Sequence, residues 1–324
     1  MQTITVSDAV GQALAEEMRR DPRVLMFGEG VATKRHDLLA EFGPERVRNT
    51  PLAEGIIAGT AAGAAATGLR PVVDLLFAPF LTLSMDAIIN SAGKLRYLSG
   101  GQFEFPMVVL TMTGAGWSVG GQHNHNLEAM FVHAPGLKVV MPSNAADFKG
   151  LMKAAIRDDN PVMFFMDLAL AHAPGPVPEG DHVVPIGKAA VLREGRDVTL
   201  VSYAKTVGAC LAAAQSLADS GVDAELIDLR TLKPIDEATV LASVRKTGRL
   251  IVVHEANGLC GVGAEVAAFV SEKAFDALTA PVRRLTGPDA PAAGSWVLEQ
   301  AGVPQMEAIR DAALGLVGAQ AVTA

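Results

Sequence analysis

Residues 54–76 read EGIIAGTAAGAAATGLRPVVDLL, and the architecture follows from how this stretch divides. The first part is almost wholly Gly and Ala, whose small side chains let a helix press close against neighbouring backbone. It is expected to be a buried helix that begins at Glu54, not a flexible linker. The second part, Pro71 to Leu76, is an apolar run of strand length. A helix that feeds such a strand is the repeating unit of a covered, mainly parallel sheet.

The same alternation extends in both directions. Upstream, Ser7 is positioned to cap a helix running to about Arg20, with Val10, Leu14 and Met18 at helical spacing, before the apolar strand Val24 to Phe27. Downstream, strands are predicted at Met107 to Thr111, Leu137 to Val140 and Val162 to Phe165, with helices at Leu81 to Leu98 and Ala145 to Arg157. Residues 171–187, AHAPGPVPEGDHVVPIG, are dense in Pro and Gly and mark a boundary. Beyond it VTLVSY, AELIDL and RLIVVHE alternate with helices at Thr206 to Ser220 and Ile235 to Lys246, so a second, smaller parallel sheet is expected. The fold class is therefore α/β, with one domain over residues 1–175, a linker over 176–187 and a second domain over 188–324. A chain of 324 residues suits two domains of roughly 100–200 residues each. No tandem repeat shows at periods of roughly 20–50 residues.

Composition narrows the function classes. The formal charge is −8 without a long basic run, which argues against nucleic acid, whose binding rests on clustered Lys and Arg. Cys210 and Cys260 stand alone, so neither a disulfide framework nor a thiolate zinc site is indicated, and a reducing compartment fits. The N-terminal residues carry acids in an amphipathic period rather than a secretory signal. No apolar run reaches the ~20 residues of a membrane span. A cytoplasmic protein that neither spans a membrane nor binds nucleic acid is expected.

Three groups of residues could carry chemistry. Gly114, Gly116 and Gly120 in TGAGWSVGG follow the strand MVVLTMT, but a dinucleotide site also needs an acid closing the second strand, and KVVMP ends at Pro142. GLCGVGAE, beyond Glu255, has the wrong glycine spacing. His123, His125 and His133 cluster without a nearby Asp, Glu or Cys to complete a metal site. His133 reads as a turn residue before Pro135, whereas His123 follows a Gly-rich loop on the C-terminal side of a parallel strand, where α/β sites form. Glu54 has two open readings: a carboxylate complementing the helix dipole, or an acid among Leu52, Ile56 and Ile57 whose burial would raise its pKa for proton exchange with a ring nitrogen.

Five ordered stretches, FGPERVRNTPLAEGIIAGTAAGAAATGLRPVVD, INSAGKLRYLSGGQ, FVHAPGLKVVMPSNAADFKGLMKAAIRDDNPV, LRTLKPID and APVRRLTGPDAP, resemble the β subunits of 2-oxo acid dehydrogenase E1 components, the pyruvate, branched-chain and acetoin enzymes. The resemblance covers nearly the whole chain. It implies a thiamine-diphosphate enzyme in which Glu54, the glutamate of the TPxxE motif, contacts N1′ of the aminopyrimidine and promotes the imino tautomer that deprotonates thiazolium C2. It also implies that Phe80 in FAPF stacks on that ring. His123, the first histidine of an HSQ-like motif, would bind the substrate carboxylate and assist acyl transfer to lipoamide.

The resemblance further implies that Glu29 belongs to a buried acid network. The carbonyls around Met107, Ala155, Ile156, Asp158 and Asn160 would hold a structural potassium ion. Three features depart from the family pattern: HNHN replaces the HSQ-like motif, the loop after Glu29 is short, and Ala87 stands where Gln is usual. A GDG motif with following asparagines, the pattern that holds magnesium and diphosphate in thiamine enzymes, does not occur. In this family it lies on the α subunit, so the resemblance implies an α2β2 heterotetramer, inactive as β alone, acting on a 2-oxo acid or acetoin and passing the acyl group to lipoyl-E2. The alternative is a split transketolase-like enzyme moving a two-carbon ketol unit without E2.

Overall fold

The structure is a computed structural model describing residues 1–318. The Gly/Ala stretch is the helix Glu54–Ala66, and the strand it feeds is Arg70–Phe77. In chain order the strands are Gln2–Thr5 (β1), Val24–Glu29 (β2), Val47–Thr50 (β3), Arg70–Phe77 (β4), Val108–Thr113 (β5), Lys138–Val140 (β6), Val162–Asp167 (β7) and Pro174–Val177 (β8), followed by Ala190–Arg193 (β9), Val198–Ser202 (β10), Ala224–Asp228 (β11), Thr231–Lys233 (β12), Leu250–Asn257 (β13) and Arg283–Gly287 (β14). Among the described residues one sheet has the order β12-β6-β7-β5-β4-β2-β3 and a second β14-β13-β10-β11-β9. Within these two sheets pairing is parallel except for β12 on β6 and β9 on β11.

The central strands of the first sheet are apolar along their whole length because both faces are covered. Successive side chains point to opposite faces, and Val72, Val108 and Phe164 join one core while Val73, Val109 and Phe165 join the other. The helix Glu54–Ala66 lays Ala58, Ala61 and Ala65 on the second face, and helices Val6–Arg20 and Ala145–Arg157 cover the first. Truncating a ring as buried as Phe165 to Ala would cost about 3–5 kcal/mol.

Several local expectations need correcting. The first helix is capped by Thr5, not Ser7: Asp8 N–H donates to Thr5 Oγ1 at 3.1 Å while Asp8 Oδ2 accepts from Thr5 N at 3.3 Å, a reciprocal box that Ser7 has no partner to form. The single helix expected over Leu81 to Leu98 is a 3₁₀ segment, Ala78–Ser84, a π segment, Asp86–Ala92, and one α-helical turn and a half, Gly93–Leu98. The Pro/Gly-rich segment is not wholly irregular, since β8 pairs antiparallel with β1. Its two prolines are tolerated because this isolated pair has free edges. The two halves are also interlocked: β12, from the C-terminal half, extends the first sheet, and Tyr203, Leu229 and Leu232 share a core with Phe131 and Phe165.

Candidate active site

Four adjacent parallel strands, β5-β4-β2-β3, bring the expected site residues to their C-terminal edges. Glu29 ends β2, Thr50 ends β3 with Glu54 opening the next helix, Phe77 ends β4 with Phe80 in the following 3₁₀ segment, and His123 lies in the loop after β5. At about 4.8 Å per strand the edge is roughly 14 Å wide. This is where ligands bind in open parallel sheets.

The rings meet closely. His123 is edge-on to Phe77, with centroids 5.1 Å apart and planes at 81°, and edge-on to Phe80 at 5.3 Å and 82°. Phe77 was missed in the sequence, although residues three apart in a 3₁₀ turn share a face, and the FAPF spacing carries that signal. Leu76, just before it, has φ +59, and its N–H is held by Asp74 Oδ1 at 2.9 Å, with Lys34 pairing Asp74 at 2.8 Å. A β-strand residue forced into the left-handed region marks backbone strain beside the site.

The start of the Glu54 helix abuts the Phe80 segment, since a Cβ on Gly55 would lie 3.0 Å from the Leu83 carbonyl oxygen. Glu54 and Glu29 are half-buried, and neither has a hydrogen-bond or ion-pair partner among the described residues. Thr50, in register with Glu29, has a buried hydroxyl without a partner. The apolar enclosure expected around Glu54 is not supplied by this chain: Leu52 and Ile56 are 70% and 72% exposed. Only Ile57 points into the core.

The loop between β5 and the helix Glu128–His133 carries His123. Gly114, Gly116 and Gly120 have φ of +86, +143 and +80, so the glycines serve loop conformation. No helix opens directly after β5, and the dinucleotide geometry is absent. Gly114 N–H donates to the Asn124 carbonyl at 3.1 Å, and Thr113 Oγ1 lies 3.0 Å from the His125 carbonyl and 2.9 Å from Asn126 Oδ1. His125 is half-buried, and His133 is exposed at its helix end, as a turn residue would be.

Across the domain boundary, Glu255 Oε1 accepts from Ala115 N–H at 2.5 Å and Lys205 Nζ donates to the Ala115 carbonyl at 2.6 Å. Lys205 also pairs with Glu255 at 2.5 Å. Behind the loop, burial pushes Asp167 up to about 7, opposed by Lys205, and pushes Glu128 up to about 7 although Tyr203 OH donates to it at 2.7 Å. Sequence reading found none of this buried acid cluster.

The carbonyls expected to hold potassium gather near the end of the helix Ala145–Arg157, but several have donors. Ile156 and Asp158 carbonyls accept from Arg70 Nη1 at 2.9 and 3.1 Å, the Met107 carbonyl from Val162 N–H at 2.9 Å, and the Ala155 carbonyl from Asp158 N–H at 3.3 Å. Among the described residues no three His, Cys, Asp or Glu side chains are grouped to hold a metal ion, and no helix is long and apolar enough to cross a membrane.

Two covered parallel sheets, with a carboxylate, an aromatic and a histidine on one carboxyl edge, define a transketolase-type protein. Residues 2–171 match the transketolase pyrimidine binding domain and residues 187–309 the transketolase C-terminal domain. The chain is 41% identical, over 99% of both proteins, to the acetoin:2,6-dichlorophenolindophenol oxidoreductase subunit beta of Bacillus subtilis. It is 45% identical to the pyruvate dehydrogenase E1 component subunit beta of Rhizobium meliloti, over 96% of this chain and 69% of that one. Among solved structures it resembles a split gene transketolase, described as an inactive beta4 tetramer, with a TM-score of 0.81, 25% identity and coverage of 97% and 98%. The chain belongs to the transketolase family, in the group of pyruvate and acetoin dehydrogenase β subunits.

Proposed function

We propose that this chain is the β subunit of a heteromeric thiamine-diphosphate enzyme that oxidatively decarboxylates a 2-oxo acid or cleaves acetoin, with acyl transfer to lipoyl-E2. The observation that carries this reading is the unpartnered, half-buried Glu54 set on the same sheet edge as Phe80 and His123. The donor set fits an aminopyrimidine: a free carboxylate for a ring nitrogen and an aromatic ring for its face. When bound, the cofactor supplies an electron sink for cleaving the bond beside the substrate carbonyl.

The residues of this chain then take defined tasks. Glu54 would exchange a proton with a ring nitrogen of the bound aminopyrimidine, Phe80 would hold the face of that ring, and Glu29 would add a second acid on the same edge. His123, its plane set by Phe77 and Phe80, faces the substrate and handles its carboxylate. Leu52 and Ile56 would be covered when an α subunit docks, which would close Glu54 off from water. The α subunit also supplies the diphosphate and Mg²⁺ site for which this sequence has no GDG motif, and the complex is α2β2, inactive as β alone. A potassium ion would be held by the carbonyls around Met107, Ala155, Ile156, Asp158 and Asn160, four of which already accept from Val162, Asp158 or the Arg70 guanidinium. Two free cysteines, one buried and one exposed, suit a cytoplasmic setting.

The test is reconstitution with the α subunit, thiamine diphosphate and Mg²⁺, supplying 2-oxo acids or acetoin with a lipoyl domain in one arm and an aldose acceptor in the other. Reductive acylation of the lipoyl domain is expected. Ketol transfer to the aldose without lipoyl acylation overturns the assignment in favour of a split transketolase.

A further inference from the structure

We infer that Glu299, from the C-terminal domain, is a positioning residue that holds the loop carrying His123 and thereby governs substrate processing; this rests on the role proposed for His123. Glu299 lies in the helix Trp296–Ala301 and is 4% exposed. Its Oε1 accepts from Asn124 Nδ2 at 2.6 Å and from Ser118 N–H at 3.0 Å, and its Oε2 accepts from Ser118 Oγ at 3.3 Å. One carboxylate therefore grips the loop on both sides of its tip.

Each contact bears on His123. Asn124 is its chain neighbour and is 1% exposed. In HNHN this asparagine stands beside His123, and its amide reaches across the domain boundary to Glu299, so the departure from the HSQ-like pattern has a partner in the second domain. Ser118 has φ +54, a conformation that costs a non-glycine residue on the order of 1 kcal/mol, and both its N–H and its hydroxyl are tied to Glu299. The base of the loop is pinned independently by Thr113 and Gly114. Removing Glu299 thus releases Ser118 and the Asn124 side chain, while the Asn124 and His125 carbonyls stay held at the base and His123 N–H stays on the Gly120 carbonyl at 3.0 Å, so the loop loosens around His123 without detaching.

The chemistry of the contact also argues for positioning. Glu299 forms no ion pair among the described residues and is stabilised by neutral donors alone. A side chain serving packing only would be better apolar, because a buried carboxylate carries a desolvation cost. An acceptor for several loop donors at once is what the carboxylate provides, and a short, charge-assisted bond gives directional hold. A Gln at this position can keep much of this, with its oxygen accepting from Asn124 and Ser118 N–H and its amide donating to the Ser118 hydroxyl.

The test uses the assembled α/β complex loaded with thiamine diphosphate and Mg²⁺. Three quantities are read: amide hydrogen exchange over residues 114–126, C2 proton exchange of the bound cofactor, and turnover of a 2-oxo acid. For Glu299→Ala the expected result is faster amide exchange in the loop, C2 exchange within about twofold of wild type, and a turnover loss of about 10²-fold, the scale at which small misplacements act. Glu299→Gln should restore most of the turnover, and Glu299→Ala should cost nothing further in a His123→Ala background, as expected of two residues acting as one unit. Unchanged loop protection, additive losses in the double variant, or a C2 exchange rate that falls with turnover would each overturn the inference. Normal turnover in His123→Ala overturns the role given to His123, while loop protection still decides whether Glu299 holds the loop. If Glu299→Ala does not assemble, Asn124→Ala removes the same 2.6 Å contact from the loop side and must give the same pattern.

Discussion

The ring of Phe80 meets the imidazole of His123 edge-on, with centroids 5.3 Å apart and planes at 82°. One aromatic therefore has two proposed tasks, orienting the histidine and stacking on the cofactor ring. Replacing Phe80 by Leu removes an aromatic pairing worth about 0.5–1.5 kcal/mol, so a roughly 2- to 10-fold weaker cofactor affinity is expected. Phe80→Tyr should stay near wild type. Circular-dichroism titration of thiamine diphosphate into the assembled complex measures both, and equal affinities for Leu and Phe would remove the stacking role.

The Glu54 side chain has no partner among the described residues, so Glu54→Gln should shift the melting midpoint by no more than about 2 °C. Turnover of the complex should fall by about 10²-fold or more, the usual scale of a lost proton-transfer group. Thermal melts beside steady-state kinetics separate the two effects. Near-normal turnover would show that Glu54 serves only the helix dipole.

Gly55 tests the contact between the Glu54 helix and the Phe80 segment. A Cβ there would sit 3.0 Å from the Leu83 carbonyl oxygen, tight enough to push the two apart by a few tenths of an ångström. Gly→Ala in a helix otherwise gains roughly 0.5–1 kcal/mol. Gly55→Ala should therefore leave the melting midpoint nearly unchanged while weakening cofactor affinity severalfold. Unaltered affinity would mean that this spacing does not matter to the site.

Asp167 gives a pH dependence of defined sign. Burial pushes its folded pKa up to about 7, while an unfolded Asp titrates near ~3.9. Between those values the folded state binds more protons than the unfolded one, so stability falls as pH rises through the window and levels off above about 7. Asp167→Asn cannot ionise. Its stability relative to wild type should therefore rise from pH 4 to pH 7, by on the order of 1–3 kcal/mol, read from denaturant midpoints across that range. A constant difference would show that Asp167 is not protonated in the folded protein.

Much of the fold was legible because the sheet is covered on both faces. That condition writes strands as unbroken apolar runs such as Val162–Phe165, with Phe164 and Phe165 in opposite cores. The Ala-rich helix was legible for a related reason, since Ala58, Ala61 and Ala65 pack closely on the core, but the full burial expected of it holds for one face only: Gly55, Ile56, Gly59, Thr60 and Gly63 are exposed in this chain. Short edge elements left no such trace. β12 is three residues long and pairs with a strand of the other domain, and the Thr5 cap depends on a reciprocal bond to Asp8 rather than on hydroxyl identity.

By itself the sequence determined the α/β class, the alternation of the central strands with their covering helices, and the candidate site residues Glu54, Phe80 and His123, because these are local patterns of hydrophobicity and motif. Tertiary structure alone decided that Phe77 joins Phe80 against His123, that Leu52 and Ile56 leave Glu54 uncovered, and that Glu299 holds the loop at Asn124. The physical reason is separation along the chain. A hydrogen bond between residues 175 positions apart is set by how two domains pack, and it imposes no periodicity on the residues around either partner.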